Sequence, residues 1–218
     1  MLMTDHGSNH VVYEAMLEGR HVALKEYRTD PRSLQRVYKE ASVLRRLSTA
    51  PGIVKIEAIF RHENYLYLQM PFYEMGTLRQ WVLREQPDDT AFGTAIYLVL
   101  EALVHLHGHK ICHLDIKPEN ILMCENSRPH VADYDISLED TATRVRAKQT
   151  NVTRIGTDGF IAPEVETNPL DASPAADMFS LDSPKTLTTA SSRFWKAPDR
   201  ACEDDTSSIA ASIAVSAI

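Results

Sequence analysis

Cysteine is scarce in this chain, with Cys112, Cys124 and Cys202 the only three in 218 residues. Three scattered thiols build no disulfide framework, so a small cross-linked secreted scaffold is excluded and a reducing compartment, cytosol or nucleus, is expected. Positive charge is also short. Lys and Arg total 23 against 30 Asp and Glu, a formal net charge of −7, so no global basic field attracts nucleic acid and no local basic patch replaces it. No run reaches the ~20 apolar residues of a membrane span. The small, apolar Ser208 to Ile218 has about half that length, and Met1 to Asn9 carries neither the basic nor the apolar region of a signal peptide. Neither nucleic acid nor membrane is an expected partner. What the chain does have is a core. Hydrophobic residues make up 44% and charged residues 24%, which suits a soluble globular protein with one large domain or two small lobes around a cleft.

Strand patterns come first. Val11 to Tyr13 and Val22 to Tyr27 are β-branched and apolar runs separated by Glu18-Gly19, a hairpin signature. Ile53 to Phe60 and Tyr65 to Met70 predict two more strands around the polar turn Arg61 to Asn64. Between the pairs, Asp30-Pro31 predicts a helix N-cap and first turn, after which Leu34, Val37, Ala41, Leu44 and Leu47 recur at helical spacing up to Pro51-Gly52. From Thr77 the pattern turns helical. Leu78 to Glu85 predicts a short helix and Ala91 to His107 a long apolar one, expected to be buried and capped by Thr90. A sheet with one helix, followed by helices, predicts an α+β chain of two lobes with a cleft between them. Beyond Leu181 the texture becomes Ser-, Thr-, Ala- and Asp-rich, so residues 182–218 are expected to form a poorly ordered tail, with Arg193-Phe194-Trp195 an aromatic island in it.

Several polar residues fall where burial makes them costly. Lys25 ends the apolar run Val22-Ala23-Leu24, and Glu40 lies on the inward stripe of the first helix, three residues after Val37 and four before Leu44. A carboxylate there needs a cation, and Lys25 is the candidate; a plain surface salt bridge is the alternative. The segment His113 to Asn120 follows the long helix, and Pro118 within it breaks helicity, so Asp115, Lys117 and Asn120 are expected on a loop between ordered elements. Such a loop aims a base, a cation and a metal ligand at one point. Asp133, after Val131-Ala132, ends a further strand, and with Asn120 it makes an oxygen pair suited to Mg²⁺.

Taken together these stretches resemble the eukaryotic-type protein kinases, Ser/Thr type. Val22-Ala23-Leu24-Lys25 is similar to the VAIK motif, His113 to Asn120 to HRDxKxxN, Asp133 to the first residue of DFG and Ala162-Pro163-Glu164 to APE. Gly156 to Phe160 resembles the peptide-docking segment, and Asp177 to Leu181 the helix start that anchors the catalytic loop. The resemblance implies a two-lobed kinase-like fold with a β-rich N-lobe (1–73), a C-lobe core (74–181) and a divergent tail, the large lobe being truncated. It implies transfer of the ATP γ-phosphate to a Ser or Thr hydroxyl of a protein substrate, with ATP and Mg²⁺ bound. On the same resemblance Lys25 holds the α- and β-phosphates with Glu40 fixing its rotamer, Asp115 acts as base, Lys117 neutralises the γ-phosphate, and Asn120 and Asp133 hold Mg²⁺. Met70 becomes the gatekeeper, Phe72 and Tyr73 the adenine hinge, and Gly7 and Val12 the phosphate loop. Lys117 with Thr157 favours Ser or Thr acceptors over Tyr.

Three departures qualify the pattern. Gly7 is the sole glycine of three expected, with Asp5 and His10 at the other places. Leu114 replaces the arginine that in many kinases pairs with a phosphorylated activation loop, so switching by that route is not expected, although Thr150 and Thr153 lie in a basic context. Asp135 stands where DFG has glycine, with less backbone freedom expected. A pseudokinase or kinase fragment that binds nucleotide or a partner without transfer is therefore the rival reading. A zinc site built from His105, His107, His109, Cys112 and His113 is a weaker one, because His105 and His107 point about 200° apart on a helix.

Overall fold

The computed structural model describes residues 2–3, 11–139 and 155–187. Its first lobe is a five-stranded antiparallel sheet in the order β1-β2-β3-β5-β4, formed by β1 (Leu2–Met3), β2 (Val12–Leu17), β3 (Arg20–Arg28), β4 (Ala58–His62) and β5 (Tyr65–Pro71). Glu18 and Gly19 turn the first hairpin with φ of 49° and 80°, the pair of left-handed residues that a two-residue hairpin matched to strand twist requires. The register pairs Val12 with Lys25 and Ala23 with Met70. Each pair shares one face of the sheet.

Strand β4 differs from expectation. It begins at Ala58 rather than Ile53, because 52–54 is tied to the other lobe: Val54 N–H donates to Val131 O at 3.0 Å, and Val131 N–H donates to Gly52 O at 2.8 Å. Gly52 has φ +67°, and a Cβ there would lie 2.9 Å from the Ala102 Cβ. This crossing admits no side chain.

Helix α1 (Pro31–Arg46) starts as its sequence requires, with the Asp30 carboxylate accepting from the N–H groups of Arg32 and Ser33 and satisfying two of the helix's orphan donors. Its inward stripe is Val37, Glu40, Val43 and Leu44. In α2 (Leu78–Glu85), Thr77 and Gln80 form a reciprocal capping box. Asp88, not Thr90, caps α3 (Asp89–Gly108). Thr90 lies in its first turn, where its carbonyl accepts from Thr94 Oγ1.

Burial of α3 is also less complete than expected. By length and composition this helix could cross a membrane, yet one stripe, Ala95, Val99, Ala102, Leu103 and Leu106, packs into the core. Val104, 69% exposed among the described residues, lies on the other side.

The rest of the second lobe consists of small pieces that position loops. β6 (Ile111–Cys112) pairs with β9 (Leu138–Glu139), while β7 (Ile121–Met123) and β8 (Pro129–Val131) form a hairpin entered through a 3-10 turn at Pro118–Asn120. Helices α4 (Pro163–Thr167), α5 (Pro174–Asp182) and α6 (Pro184–Leu187) follow. The architecture is the two-lobed α+β arrangement expected. One cluster from Tyr27 and Leu68 through Val99 and Ile121 to Leu181 runs through both lobes, and a smaller one gathers Cys112, Leu114, Ile155, Ala162 and Val165. Most of the expected tail lies outside the described residues.

Candidate active site

Strand β3 and helix α1 meet at a buried charge cluster. Lys25 and Glu40 are 5% and 1% exposed, so a surface salt bridge is excluded. The Lys25 ammonium donates to both Glu40 oxygens at 3.2 and 3.0 Å and to Asp133 Oδ1 at 2.7 Å, with Asp135 Oδ1 at 3.4 Å. Burial works against the Lys25 charge, but Glu40 and Asp133 outweigh it and hold the ammonium well above its ordinary pKa. Burial raises Glu40 in turn; Lys25 opposes the rise, and Asp135 and Asp133 add to it. The Tyr27 hydroxyl donates to Glu40 Oε2. Three carboxylates and one ammonium converge here.

The loop after β6 is anchored from below. Asp177, fully buried at the start of α5, accepts the backbone N–H of His113 at 2.8 Å and of Leu114 at 2.7 Å, and a third bond from His107 Nε2 at 2.8 Å. His113 donates from Nε2 to Ala132 O at 2.9 Å and accepts the Asp115 N–H on Nδ1 at 3.2 Å, which requires the neutral Nε2–H tautomer. Its ring packs edge-on to Tyr134 at 4.8 Å. These contacts hold Leu114 in a left-handed backbone, φ 67°.

Asp115, Lys117 and Asn120 converge at the loop's tip. Asp115 Oδ2 accepts from Lys117 Nζ and from Asn120 Nδ2, each at 2.8 Å, and Oδ1 accepts from the Thr157 hydroxyl at 2.6 Å. Lys117 also donates to Thr157 Oγ1 at 2.9 Å. Burial pushes the Asp115 carboxyl up, but hydrogen bonds from Lys117 and Thr157 outweigh it and keep the carboxyl below its ordinary value. Because the Asn120 amide nitrogen is committed to Asp115, including its backbone carbonyl at 2.8 Å, the carbonyl oxygen is the atom Asn120 has for a cation.

The other candidate positions line the junction of the lobes. Met70 is buried beside Ala23, and Phe72 and Tyr73 follow the end of β5, their rings against His21 (5.8 Å) and His130 (4.9 Å). Val12 is partly buried opposite Lys25. Gly7 lies outside the described residues, as do Asp5, His10, Thr150 and Thr153.

Two departures receive a physical account. The left-handed backbone falls at Asp133 (φ 68°), not at Asp135, so position 135 takes a side chain without strain. Leu114 sits in the smaller apolar cluster with Ile155, Ala162 and Val165, against Ile136, Leu138 and Ile161, where hydrocarbon occupies the place of a phosphate-binding arginine. The zinc alternative fails on geometry. Both ring nitrogens of His113 are engaged, and among the described residues the His, Cys, Asp and Glu ligand atoms that gather within 4.8 Å of one another are those of Glu40, Asp133 and Asp135, none of them in this set. Sequence reasoning missed Tyr27, although alternation from Lys25 places it on the same face. Thr157, paired with Lys117 in the sequence for acceptor choice, is joined to it at 2.9 Å; its bond to Asp115 had no such signal.

The family model for the protein kinase domain matches residues 6–205. The chain is 33% identical over 163 residues to RasGEF domain-containing serine/threonine-protein kinase X of Dictyostelium discoideum, covering 73% of this chain and 16% of that protein. It is 32% identical over 153 residues to a calcium/calmodulin-dependent protein kinase kinase of Caenorhabditis elegans, covering 68% of this chain and 27% of that one. A protein kinase and PP2C-like domain-containing protein of Arabidopsis thaliana is 34% identical over 136 residues, covering 60% and 20%. The chain thus spans between about a sixth and a quarter of the length of these relatives. It belongs to the protein kinase family.

Proposed function

We propose that this chain transfers the γ-phosphate of ATP to a Ser or Thr hydroxyl of a protein substrate. The observation that carries this reading is the placement of Lys25, held at once by Glu40 of α1 and by Asp133, in a protein whose family works with ATP and Mg²⁺ and acts on proteins. Phosphoryl transfer asks little covalent chemistry of the protein and mostly needs positioned charge. The buried Lys25 supplies it for the α- and β-phosphates, its neighbouring carboxylates favouring the ammonium form, and Glu40 keeps its ammonium from swinging away.

Asp115 receives the acceptor's proton. Each carboxylate oxygen has two lone pairs, so the bonds from Thr157, Lys117 and Asn120 leave room for one more donor. As the acceptor oxygen bonds to the γ-phosphorus, the bond to the bridging oxygen breaks and ADP leaves. Lys117, beside Asp115 and Thr157, supplies a cation for charge on the transferring group. Hard oxygen donors on Asn120 and Asp133 would hold Mg²⁺, which would supply positive charge to the phosphate chain. Lys117 and Thr157 bracket Asp115 and shape a site for a short aliphatic hydroxyl, and relatives named as serine/threonine kinases support that choice.

Phosphoamino-acid analysis of a mixed Ser, Thr and Tyr peptide pool incubated with Mg-ATP tests the acceptor. Phosphoserine and phosphothreonine are expected. Phosphotyrosine as the main product would overturn the choice.

A further inference from the structure

We propose that Tyr27 and Asp135 form a positioning pair that fastens the segment after Asp133 to helix α1 and so keeps the Lys25–Glu40 pair set for nucleotide. This rests on the phosphotransfer reading above. Tyr27 is 1% exposed and follows Lys25 by two residues on β3, so both side chains leave the same face. Its single hydroxyl proton lies between two acceptors, Glu40 Oε2 and Asp135 Oδ1, the latter at 3.1 Å, and is shared by them. A buried phenol hydroxyl must find partners, and those found here are two carboxylates from different elements.

Asp135 is held from the other side as well. Its backbone carbonyl accepts from Lys39 Nζ at 3.1 Å, and Lys39 immediately precedes Glu40. The segment is thus pinned to α1 through Lys39 and, by way of Tyr27, through Glu40. Electrostatics gives the phenol a purpose, since Glu40, Asp133 and Asp135 bring donor oxygens within 4.8 Å of one another and the Lys25 ammonium is bonded to all three. An uncharged donor between Glu40 and Asp135 relieves their repulsion without competing with phosphate for Lys25. With no left-handed backbone at 135, the carboxylate there costs no strain.

A space-filling tyrosine would be replaced by phenylalanine without consequence, which makes the single hydroxyl the test. Amide hydrogen exchange on the unliganded chain, with kcat and KM for Mg-ATP, compares wild type with Tyr27→Phe, Asp135→Gly, Asp135→Asn and the Tyr27→Phe/Asp135→Gly double variant. Tyr27→Phe and Asp135→Gly are each expected to speed exchange in α1 and in 134–138 and to lower kcat about tenfold with KM within about twofold, as loosened positioning does. The double variant should be no worse than either single. Asp135→Asn, which keeps an acceptor oxygen, should recover part of the loss. Exchange in Tyr27→Phe equal to wild type, or additive losses in the double variant, overturns the pair. If wild type transfers no phosphate while Tyr27→Phe still loosens α1, the pair stands as a structural tether and the phosphotransfer reading falls; if wild type transfers phosphate and Tyr27→Phe matches it, the pair falls and the reading stands.

Discussion

Lys25 carries two burdens, since the charge that would hold phosphate also offsets the buried Glu40 and the half-buried Asp133 and Asp135. Removing one partner of a buried ion pair strands the other and costs about 3–5 kcal/mol, so Lys25→Met is expected to lower urea stability by that order as well as to abolish transfer. An unchanged denaturation midpoint would show that the carboxylates protonate at no cost. Thr157→Val tests a different link. The valine keeps the volume but cannot bridge Lys117 and Asp115, so kcat should fall with Mg-ATP affinity unchanged, read by single-turnover transfer and nucleotide titration. Lys25, Glu40, Asp115, Lys117, Asn120 and Asp133 were legible because their motifs fix spacing along the chain. Tyr27 was not, nor was the bridge from Thr157, a residue read for acceptor choice, because both roles lie in partners far away in sequence: Tyr27 meets Asp135 108 residues on, and Thr157 meets Asp115 42 residues back.

Helix α1 delivers Glu40, and its N-cap gives it a pH dependence. The Ser33 hydroxyl, with the backbone N–H groups of Ser33 and Arg32, holds the Asp30 carboxyl below its ordinary value. A depressed folded-state pKa means that stability is present above the unfolded value, about 4, and is lost as pH falls through the folded one. Melting curves should therefore show the advantage of wild type over Asp30→Asn, which keeps a cap but cannot titrate, shrinking as pH drops below about 4. The smaller apolar cluster makes a second case. Leu114 is 6% exposed there, and Leu114→Ala is expected to cost about 2–5 kcal/mol by cavity formation, measured by chemical denaturation. Leu114→Arg, which places a charge among Ile136, Leu138 and Ile155, should destabilise more than alanine. Asp30-Pro31 announced the α1 start through local chemistry, whereas the Asp88 cap and the late start of β4 depended on tertiary context. Ile53 and Val54 have strand-like side chains, but β8 claims their backbone.

The two lobes share one core, and 52–54 joins the sheet lobe to Val131 two residues before Asp133, so geometry at the cleft and stability of the fold are linked. A ligand that binds only the folded chain stabilises it by about 2.7 kcal/mol at one hundred times its Kd, and Mg-ATP at that excess is expected to raise the melting temperature. The α+β, two-lobed outline was readable from the switch of hydrophobic period near Thr77. Incomplete burial of α3 was not, because composition shows that a helix is apolar but not what covers each side. The most direct measurement is γ-phosphate transfer from Mg-ATP to a Ser/Thr-containing protein by the purified chain, beside Asp115→Ala. Transfer by the wild type that falls at least a hundredfold in Asp115→Ala is the predicted result, on the scale of losing a preorganised electrostatic group. Equal transfer by both, or none by a wild type that binds Mg-ATP, would contradict the account.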